Sequence, residues 1–296
     1  MAWIDEDQIW ANFDSRTEDG TVVFSKDYRT VTFVDKGFKF EFRILSGFKK
    51  KPVIPGQQAP STSSSSGCRP GSDIDVGGYE VADVGTTHLL AYNKFAAARP
   101  HLLLLTQDGF RRQHERLDRH DFAALGQVLS NLRRRERYLA IFNCGVDGGC
   151  SRLHKHLQVF PAPPADDFAL WPDRYDPTTW PALPFKCFVH RFGDELPSAD
   201  KLTAIYETLL GQAEREVGYE PGKERGKAVP HNVVLDRKWI LVVPRRNAGL
   251  DGVIVNAAAM LGMLWVVNDE MMERWKRLGP ANILAHVGVP NRGVAS

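Results

Sequence analysis

The sequence has few cysteines, no long apolar run and little net charge. Four cysteines in 296 residues are too few for a disulfide framework, and no run of about 18 apolar residues predicts a membrane span. The first ten residues, MAWIDEDQIW, lack the basic start and the apolar stretch of a signal peptide. We therefore expect a cytoplasmic protein with no membrane partner, and we leave nuclear presence open.

The near balance of charges excludes a polycation that binds nucleic acid along its whole surface. The chain has 38 Lys and Arg against 36 Asp and Glu, a formal net charge of +2 at pH 7. Non-specific binding to nucleic acid depends on a large excess of positive charge. We expect no nucleic-acid partner and look for a small-molecule ligand.

Strand-like runs are mixed irregularly with helical patterns. Alternating or β-branched runs predict strands at residues 21–25, 30–34, 38–44, 87–95, 101–106, 138–142, 154–160, 185–191, 231–235 and 239–244. Helical spacing predicts a short N-terminal helix and helices over residues 118–137, 199–217 and 257–278, the first of these three capped by Asp118 or Asp121. This mixture favours an α+β fold over regular βαβ alternation.

One stretch, residues 55–73, has low complexity. It reads PGQQAPSTSSSSGCRPGSD. Such a composition buries too little apolar surface to offset the entropy lost on ordering, so it predicts a mobile loop.

The most informative segment is NCGVDGGCSRLHKHLQ, which ends at Gln158. If residues 154–160 form a strand, His154, His156 and Gln158 share one face, and the residues between them point the other way. Two imidazoles and an amide on one face fit a polar ligand better than a hydrophobic core. The sequence therefore predicts a binding face along this strand.

An imidazole on that face is suited to nucleophilic attack on phosphorus. Its second ring nitrogen can hold a proton against a backbone carbonyl while the first attacks. The preceding turn, residues 145–151, offers bare backbone amides to phosphate oxygens.

Two alternatives stay open for the histidine pair. The two histidines can be structural, or Cys144, Cys150, His154 and His156 can form a zinc site with the spacing C-x5-C-x3-H-x-H. Structural zinc usually uses closer cysteine pairs, which makes zinc the weaker alternative. No carboxylate cluster in the sequence predicts a dedicated metal site.

The motif HKHLQ after a Gly/Ser-rich turn resembles the histidine-triad superfamily, in the branch with glutamine at the third position. That branch holds nucleotidyltransferases, whereas the hydrolases usually carry a third histidine. The resemblance implies a histidine-triad-like antiparallel sheet with flanking helices, elaborated by N- and C-terminal extensions. Our hypothesis is that Gln158, which cannot exchange a proton near neutral pH, lets a covalent intermediate persist until an acceptor better than water arrives.

Three further segments are similar to the diadenosine tetraphosphate phosphorylases of fungi and bacteria, in that family's order. They are GTVVFSKDYRTVTFVDKGFKFEFRILSGFKKKP, LLAYNKFAAARPHLLLLTQDGFRRQHERL and HNVVLDRKWILVVPRR. With the histidine strand, the resemblance covers nearly the whole chain. It implies a single domain over residues 1–296, in which residues 1–54 and 185–296 pack on a core of residues 74–184.

What the family implies is reversible adenylyl transfer between diadenosine tetraphosphate, phosphate, ATP and ADP. His156 attacks the α-phosphorus and expels ATP, and phosphate then releases ADP. Gln158 holds a phosphoryl oxygen, and His154 orients the strand or the phosphate chain. The resemblance places further ligand contacts at Lys51, Asn93, Lys94, Asn143, Gly148, Gly149, Cys150, Ser151, Asn256, Ala257, Ala258 and Met263.

The resemblance requires no covalent cofactor, although a divalent cation such as Mg²⁺ is compatible with a polyphosphate substrate. The sequence departs from the family pattern at Val267, where a lysine is expected, and at Gly148 and Cys150, which remove two hydroxyl donors from a turn that often reads Ser-Gly-Ser-Ser. Loss of the lysine removes a fixed cation beside the polyphosphate. Two rivals therefore stay open, another histidine-strand nucleotidyltransferase and a catalytically impaired nucleotide-binding regulator. The sequence also leaves open whether the protein is a monomer or a homodimer.

Overall fold

A computed structural model describes residues 4–45, 69–176, 183–193, 195–219 and 227–291. Within these ranges the helices are α1 (Glu6–Glu18), α2 (Arg119–Asn131), α3 (Ala199–Glu216), α4 (Ala257–Met260), α5 (Asp269–Leu278) and α6 (Pro280–Val287). The strands are β1 (Arg29–Asp35), β2 (Phe38–Ile44), β3 (Glu80–Val84), β4 (His88–Tyr92), β5 (Leu102–Thr106), β6 (Tyr138–Cys144), β7 (His156–Pro161), β8 (Phe188–Arg191), β9 (His231–Leu235), β10 (Trp239–Pro244), β11 (Gly249–Leu250), β12 (Val253–Ile254) and β13 (Met263–Val266). The predicted α+β class is confirmed.

The described strands are organised around one large antiparallel sheet. Eight of them follow the order β3-β4-β5-β7-β6-β9-β10-β8, which places β7 between β5 and β6. A smaller sheet combines β1 and β2 with β13, and β13 runs parallel to β2. Strands from the N-terminal and the C-terminal parts of the chain therefore pair in this smaller sheet.

Both faces of the large sheet are covered. On one face, α1, α2 and α3 contribute to a core that includes Leu157 and Val159 of β7. On the other face, the smaller sheet and the C-terminal helices enclose a second core that includes Phe160. Leu157 and Val159 thus lie on one face of the sheet and Phe160 on the other, as the period of a strand requires. The predicted division between the two sides of β7 is confirmed for residues 156–160.

Helix α2 begins as predicted but ends early. Asp118 is its N-cap, and Asp121 completes a capping box with it. The prediction that the helix reaches residue 137 is wrong. Buried Glu6 accepts the backbone N–H groups of Arg133 and Arg134, which turns the chain away from the helix axis.

The single helix predicted over residues 257–278 is also wrong. The segment is divided into α4, β13 and α5. Gly262 ends α4 at a positive φ of 88°, in a position where a Cβ atom would lie 2.6 Å from the carbonyl oxygen of Lys39. The next four residues then pair with Glu41–Ile44 of β2. This long-range pairing overrides the local helical spacing.

One smaller prediction differs from the structure, and two fall on residues that the structure does not describe. Residues 21–25 do not form a strand, because Val23 makes only an isolated bridge to Phe95. Residues 55–68 of the predicted mobile loop lie outside the described residues, as does Lys51. In the part of the chain that the structure describes, no helix is long and apolar enough to cross a membrane.

Stability should fall in acid because of His231, which is fully buried beneath α3. Nδ1 of His231 donates to the carbonyl of Val229, and Tyr206 Oη lies 2.9 Å from Nε2. Burial lowers the pKa of His231 to about 4. This histidine therefore binds a proton below about pH 6.5 in the unfolded chain, but only below about pH 4 in the folded chain. Between these two values the unfolded state binds more protons, so the free energy of unfolding decreases as the pH falls.

We expect the step from pH 7.5 to 5 to cost about 2 kcal/mol at this one histidine. Urea denaturation at the two pH values measures the loss. Between the same two pH values, the free energy of unfolding of a His231→Leu variant should fall by about 2 kcal/mol less than that of the parent, whatever its absolute stability. Equal losses in the parent and the variant would contradict the assignment.

Candidate active site

His156 is held at the start of β7 by its own backbone and by a buried glutamine. Its Nδ1 lies 2.8 Å from the carbonyl oxygen of His154. Since a carbonyl only accepts, Nδ1 carries the proton and the lone pair of the neutral ring is on Nε2. Gln113 bonds to both the backbone N–H and the carbonyl of His156, at 2.8 and 3.0 Å. The ring is thus fixed in the tautomer that nucleophilic attack requires.

The prediction that His154 shares one face of β7 with His156 is wrong, since His154 lies before the strand begins. It forms only an isolated bridge with Arg112, and its backbone N–H donates to Asp73. Its ring lies between the hydroxyls of Ser72 and Thr106, at 2.8 and 2.9 Å. Burial lowers the pKa of His154, which keeps the ring neutral. Of the two predicted roles, orienting the strand fits its carbonyl bond to His156.

The His156 ring lines a cleft between the large sheet and the C-terminal segment. Polar lining comes from amides, a hydroxyl, a thiol and imidazoles, namely Asn93, His101, Asn143, Cys150, Ser151, His156, Gln158 and Asn256. Apolar lining comes from Phe95, Ile254, Ala259, Leu264, Trp265 and Trp275. Polar groups and aromatic rings together suit a ligand with an anionic part and a flat ring.

Gln158 lies two residues along the same face of β7. Its Oε1 is 3.0 Å from Nε2 of His101, a buried histidine just before β5. The backbone N–H of Ala97 lies 3.0 Å from Nδ1 of His101. The His101 ring packs edge-on against Phe160 and Trp265.

A buried amide network joins the two walls of the cleft. Asn143 Oδ1 accepts from the backbone N–H of Ala257 at 2.7 Å and from Asn232 Nδ2 at 3.0 Å. Asn232 Nδ2 also lies 2.7 Å from the carbonyl of Gly148. Sheet, turn and C-terminal segment are therefore linked through Asn143.

Arg245 lies beneath this network and is 1% exposed. Its described partners are carbonyl and amide oxygens, including those of Gly148, Asn232 and Val255. Burial lowers the pKa of Arg245 to about 9, so it stays charged at neutral pH. A positive charge held below the 145–151 turn favours an anion above it.

The turn itself differs from the predicted cradle of bare amides. The backbone N–H groups of Gly148, Gly149 and Cys150 already donate within the turn, to the carbonyls of Gly145 and Val146. Gly149, Cys150 and Ser151 nevertheless line the cleft. Gly149 approaches the opposite wall so closely that a Cβ atom would lie 2.1 Å from the carbonyl of Val255. The turn shapes the cleft, but these three amides are not open to a phosphate.

Several other predicted ligand contacts lie away from the cleft lining. The Lys94 ammonium is 5.8 Å from the centre of the Tyr79 ring. Ala258 and Met263 are buried in the C-terminal core, and Ala257 acts through its bond to Asn143. None of these four residues lines the cleft, because β13 turns Met263 inward and brings the nearby Trp265 to the cleft instead. Their contact with a ligand stays a prediction.

The four residues of the zinc alternative do not come together. Cys144 belongs to the core that contains Leu157 and Val159, and its Sγ faces the carbonyl of Glu115, whereas Cys150 and His156 line the cleft. Among the described residues, no group of three His, Cys, Asp or Glu side chains is placed to hold a metal ion. Burial raises the pKa of Cys150 to about 11, so this thiol is protonated at neutral pH and is a poor competitor to His156.

Seven residues that line the cleft were not predicted from the sequence, namely Phe95, His101, Ile254, Ala259, Leu264, Trp265 and Trp275. His101 lies next to the run LLLL, which resembles plain core, and Trp265 falls in the segment predicted to be helical. The motif RPH, which ends at the first residue of the strand predicted over residues 101–106, was the available indication for His101. The pairing of β13 with β2, which places Trp265, carries no local pattern.

A histidine held with its lone pair on Nε2, in a cleft of amide groups and aromatic rings, is suited to nucleotidyl transfer. Residues 5–172 match the model of the Ap4A phosphorylase N-terminal domain, and residues 181–290 match that of the ATP adenylyltransferase C-terminal domain. Since the first match alone covers more than half of the chain, the chain belongs to the Ap4A phosphorylase (ATP adenylyltransferase) family.

Individual relatives agree with this assignment. Diadenosine 5',5'''-P1,P4-tetraphosphate phosphorylase 2 of Saccharomyces cerevisiae is 30% identical over 207 residues, which are 62% of this chain and 63% of the relative. The crystal structure of the yeast Ap4A phosphorylase Apa2 superposes with a TM-score of 0.75 at 22% identity, covering 97% of this chain and 98% of that one. The same yeast protein in complex with Ap4A gives a TM-score of 0.72 at 23% identity, covering 98% and 100%.

Proposed function

We propose that this chain catalyses the phosphorolysis of Ap4A to ATP and ADP through an adenylyl-His156 intermediate. The observation that carries the proposal is the 2.8 Å bond from Nδ1 of His156 to the carbonyl of His154 within the cleft. That bond leaves the lone pair on Nε2 and stabilises the positive charge that the ring gains when Nε2 attacks.

The reaction then has two displacements at one phosphorus. Nε2 of His156 forms a bond to the α-phosphorus of Ap4A, and the bond from that phosphorus to the bridging oxygen breaks to release ATP. An oxygen of inorganic phosphate next attacks the same phosphorus, the P–N bond breaks, and ADP leaves. The positive charge of Arg245 and the amide groups of the cleft stabilise the negative charge on the transferring phosphoryl group.

The proposal is tested by the phosphate dependence of turnover. With Ap4A and phosphate, equal amounts of ATP and ADP should appear. Without phosphate, ATP should be released once per protein molecule and an adenylyl group should stay on the protein. Discharge of that group by a sugar phosphate or by sulfate, but not by phosphate, would instead identify another histidine-strand transferase, and binding with neither adduct nor turnover would identify a nucleotide-binding regulator.

The difference between transfer and hydrolysis should depend on Gln158. We expect Gln158→His to raise the phosphate-independent release of AMP at least roughly 10-fold, because an imidazole exchanges protons near neutral pH and an amide does not. Gln158→Ala is the matched control, since it removes the amide without adding a proton carrier. An unchanged rate of AMP release in Gln158→His would count against the hypothesis.

A further inference from the structure

The carboxamide side chains that line the cleft share one feature: the oxygen of each already accepts a hydrogen bond from the protein. Asn143 Oδ1 accepts from the backbone of Ala257 at 2.7 Å, and Asn256 Oδ1 accepts from the backbone of Ala259 at 3.0 Å. Asn93 Oδ1 accepts from the backbone N–H of Phe95 at 3.2 Å. A backbone N–H can only donate, so each amide oxygen is identified and each NH2 group is directed elsewhere.

Gln158 follows the same rule through one intermediate residue. The backbone N–H of Ala97 donates to Nδ1 of His101 at 3.0 Å, so Nδ1 is the acceptor and Nε2 carries the proton. Nε2–H therefore donates to the neighbouring atom of Gln158 at 3.0 Å, which must be the oxygen. The Gln158 NH2 group is left for the cleft.

A second contact at His101 Nε2 is consistent with this assignment. Asn93 Nδ2 lies 3.4 Å from the same nitrogen. If that contact were a hydrogen bond, Nε2 would have to accept, and Nδ1–H would then face the N–H of Ala97 at 3.0 Å. Two short bonds outweigh one long contact, so the 3.4 Å approach is packing between two donors.

We infer that His101 is a positioning residue that locks the Gln158 carboxamide with its NH2 group toward the phosphoryl oxygens of the ligand. Gln158 then joins Asn93, Asn143 and Asn256 in presenting N–H donors to the cleft. Phosphoryl oxygens only accept, so a carboxamide locked in this way is never turned with its oxygen toward the anion.

The inference rests on the proposed function for its ligand, a nucleotide phosphate, but not for its geometry. Two variants separate positioning from structure. His101→Gln can place an N–H near the former Nε2 and donate to Gln158, but it loses the acceptor for Ala97. His101→Asn can place an oxygen near the former Nδ1 and keep the Ala97 bond, but it loses the donor to Gln158.

We expect His101→Asn to lower kcat/KM for phosphorolysis roughly 10-fold and to weaken AMP binding, while His101→Gln stays within about 3-fold of the parent. Thermal stability should follow the reverse order. In a Gln158→Ala background, His101→Asn should cause no further loss of kcat/KM or AMP affinity. His190→Asn, which changes an exposed histidine on the far edge strand β8, is the control.

Nitrogen-15 spectra of the parent protein test the geometry without any catalysis. The long-range proton–nitrogen pattern of His101 should be that of the Nε2–H tautomer, and the side-chain NH2 resonance of Gln158 should shift when AMP is added. An Nδ1–H tautomer, or equal losses from His101→Asn with and without Gln158, would overturn the inference even in an active enzyme. If the tautomer and the AMP response are as expected but Ap4A is not turned over, the proposed function fails and the inference stands.

Discussion

Substitution of His156 by asparagine should lower kcat for Ap4A phosphorolysis by roughly 10,000-fold or more, because loss of a covalent nucleophile removes both displacements at once. The asparagine side chain is close in size to the part of the ring that bonds to the carbonyl of His154, so the backbone of β7 has no reason to move. We therefore expect AMP binding and the free energy of unfolding to stay near the parent values.

The control for this experiment is His154→Asn. Its ring bonds to Ser72 and Thr106 and does not line the cleft, so its loss should affect turnover far less than the loss of His156. Rates are measured as ATP and ADP formed from Ap4A at saturating phosphate. A His156→Asn variant that retains more than about a hundredth of the parent rate would contradict a nucleophilic role.

The largest expected effect on stability lies at Lys155, the residue before His156 in the chain. Its ammonium is 2.6 Å from Asp121 Oδ2 and 2.6 Å from the carbonyl of Arg116, and both charged side chains are at most 1% exposed. Burial opposes ionisation of Asp121, but the bond to His88 and the charge of Lys155 outweigh it, so the pKa of Asp121 lies below its usual value.

We expect Lys155→Met to lower the free energy of unfolding by about 3–5 kcal/mol, because the carboxylate of Asp121 stays buried without its main counter-charge. Lys26→Met is the matched control, since Lys26 pairs with Glu18 at the surface and its loss should cost less than about 1 kcal/mol. Urea denaturation measures both. Equal costs for the two variants would show that the buried pair contributes no more than an exposed one.

The strands of the large sheet were largely predictable because their patterns are local. The hairpin of β9 and β10, the start of α2 at Asp118 and the position of β7 follow from alternation, turn residues and capping. The end of α2 and the division of residues 257–278 were not predictable, because Glu6 and β2 decide them from far along the chain. Contacts of this kind leave no periodic pattern in either partner.

The residues of the site also fall into those that the sequence indicated and those that depend on distant contacts. His156 and Gln158 were identified because a strand places them on one face, and Asn93, Asn143 and Asn256 came from the family resemblance. The position of His154 outside the strand depends on Ser72 and Asp73, which belong to a stretch predicted as a mobile loop. The occupied amides of the 145–151 turn depend on its backbone conformation, which the sequence GVDGGCS does not specify alone.

Covalent catalysis by His156 is tested most directly by a search for the adenylyl group on the protein. The full chain is mixed with Ap4A without phosphate, quenched under alkaline conditions that preserve a P–N bond, and analysed by intact mass and by peptide mapping. We predict one adenylyl group per chain, on the peptide that contains His156, and its loss as ADP when phosphate is added. ATP and ADP formed at the full rate with no covalent adduct, or with an adduct on another residue, would contradict the account.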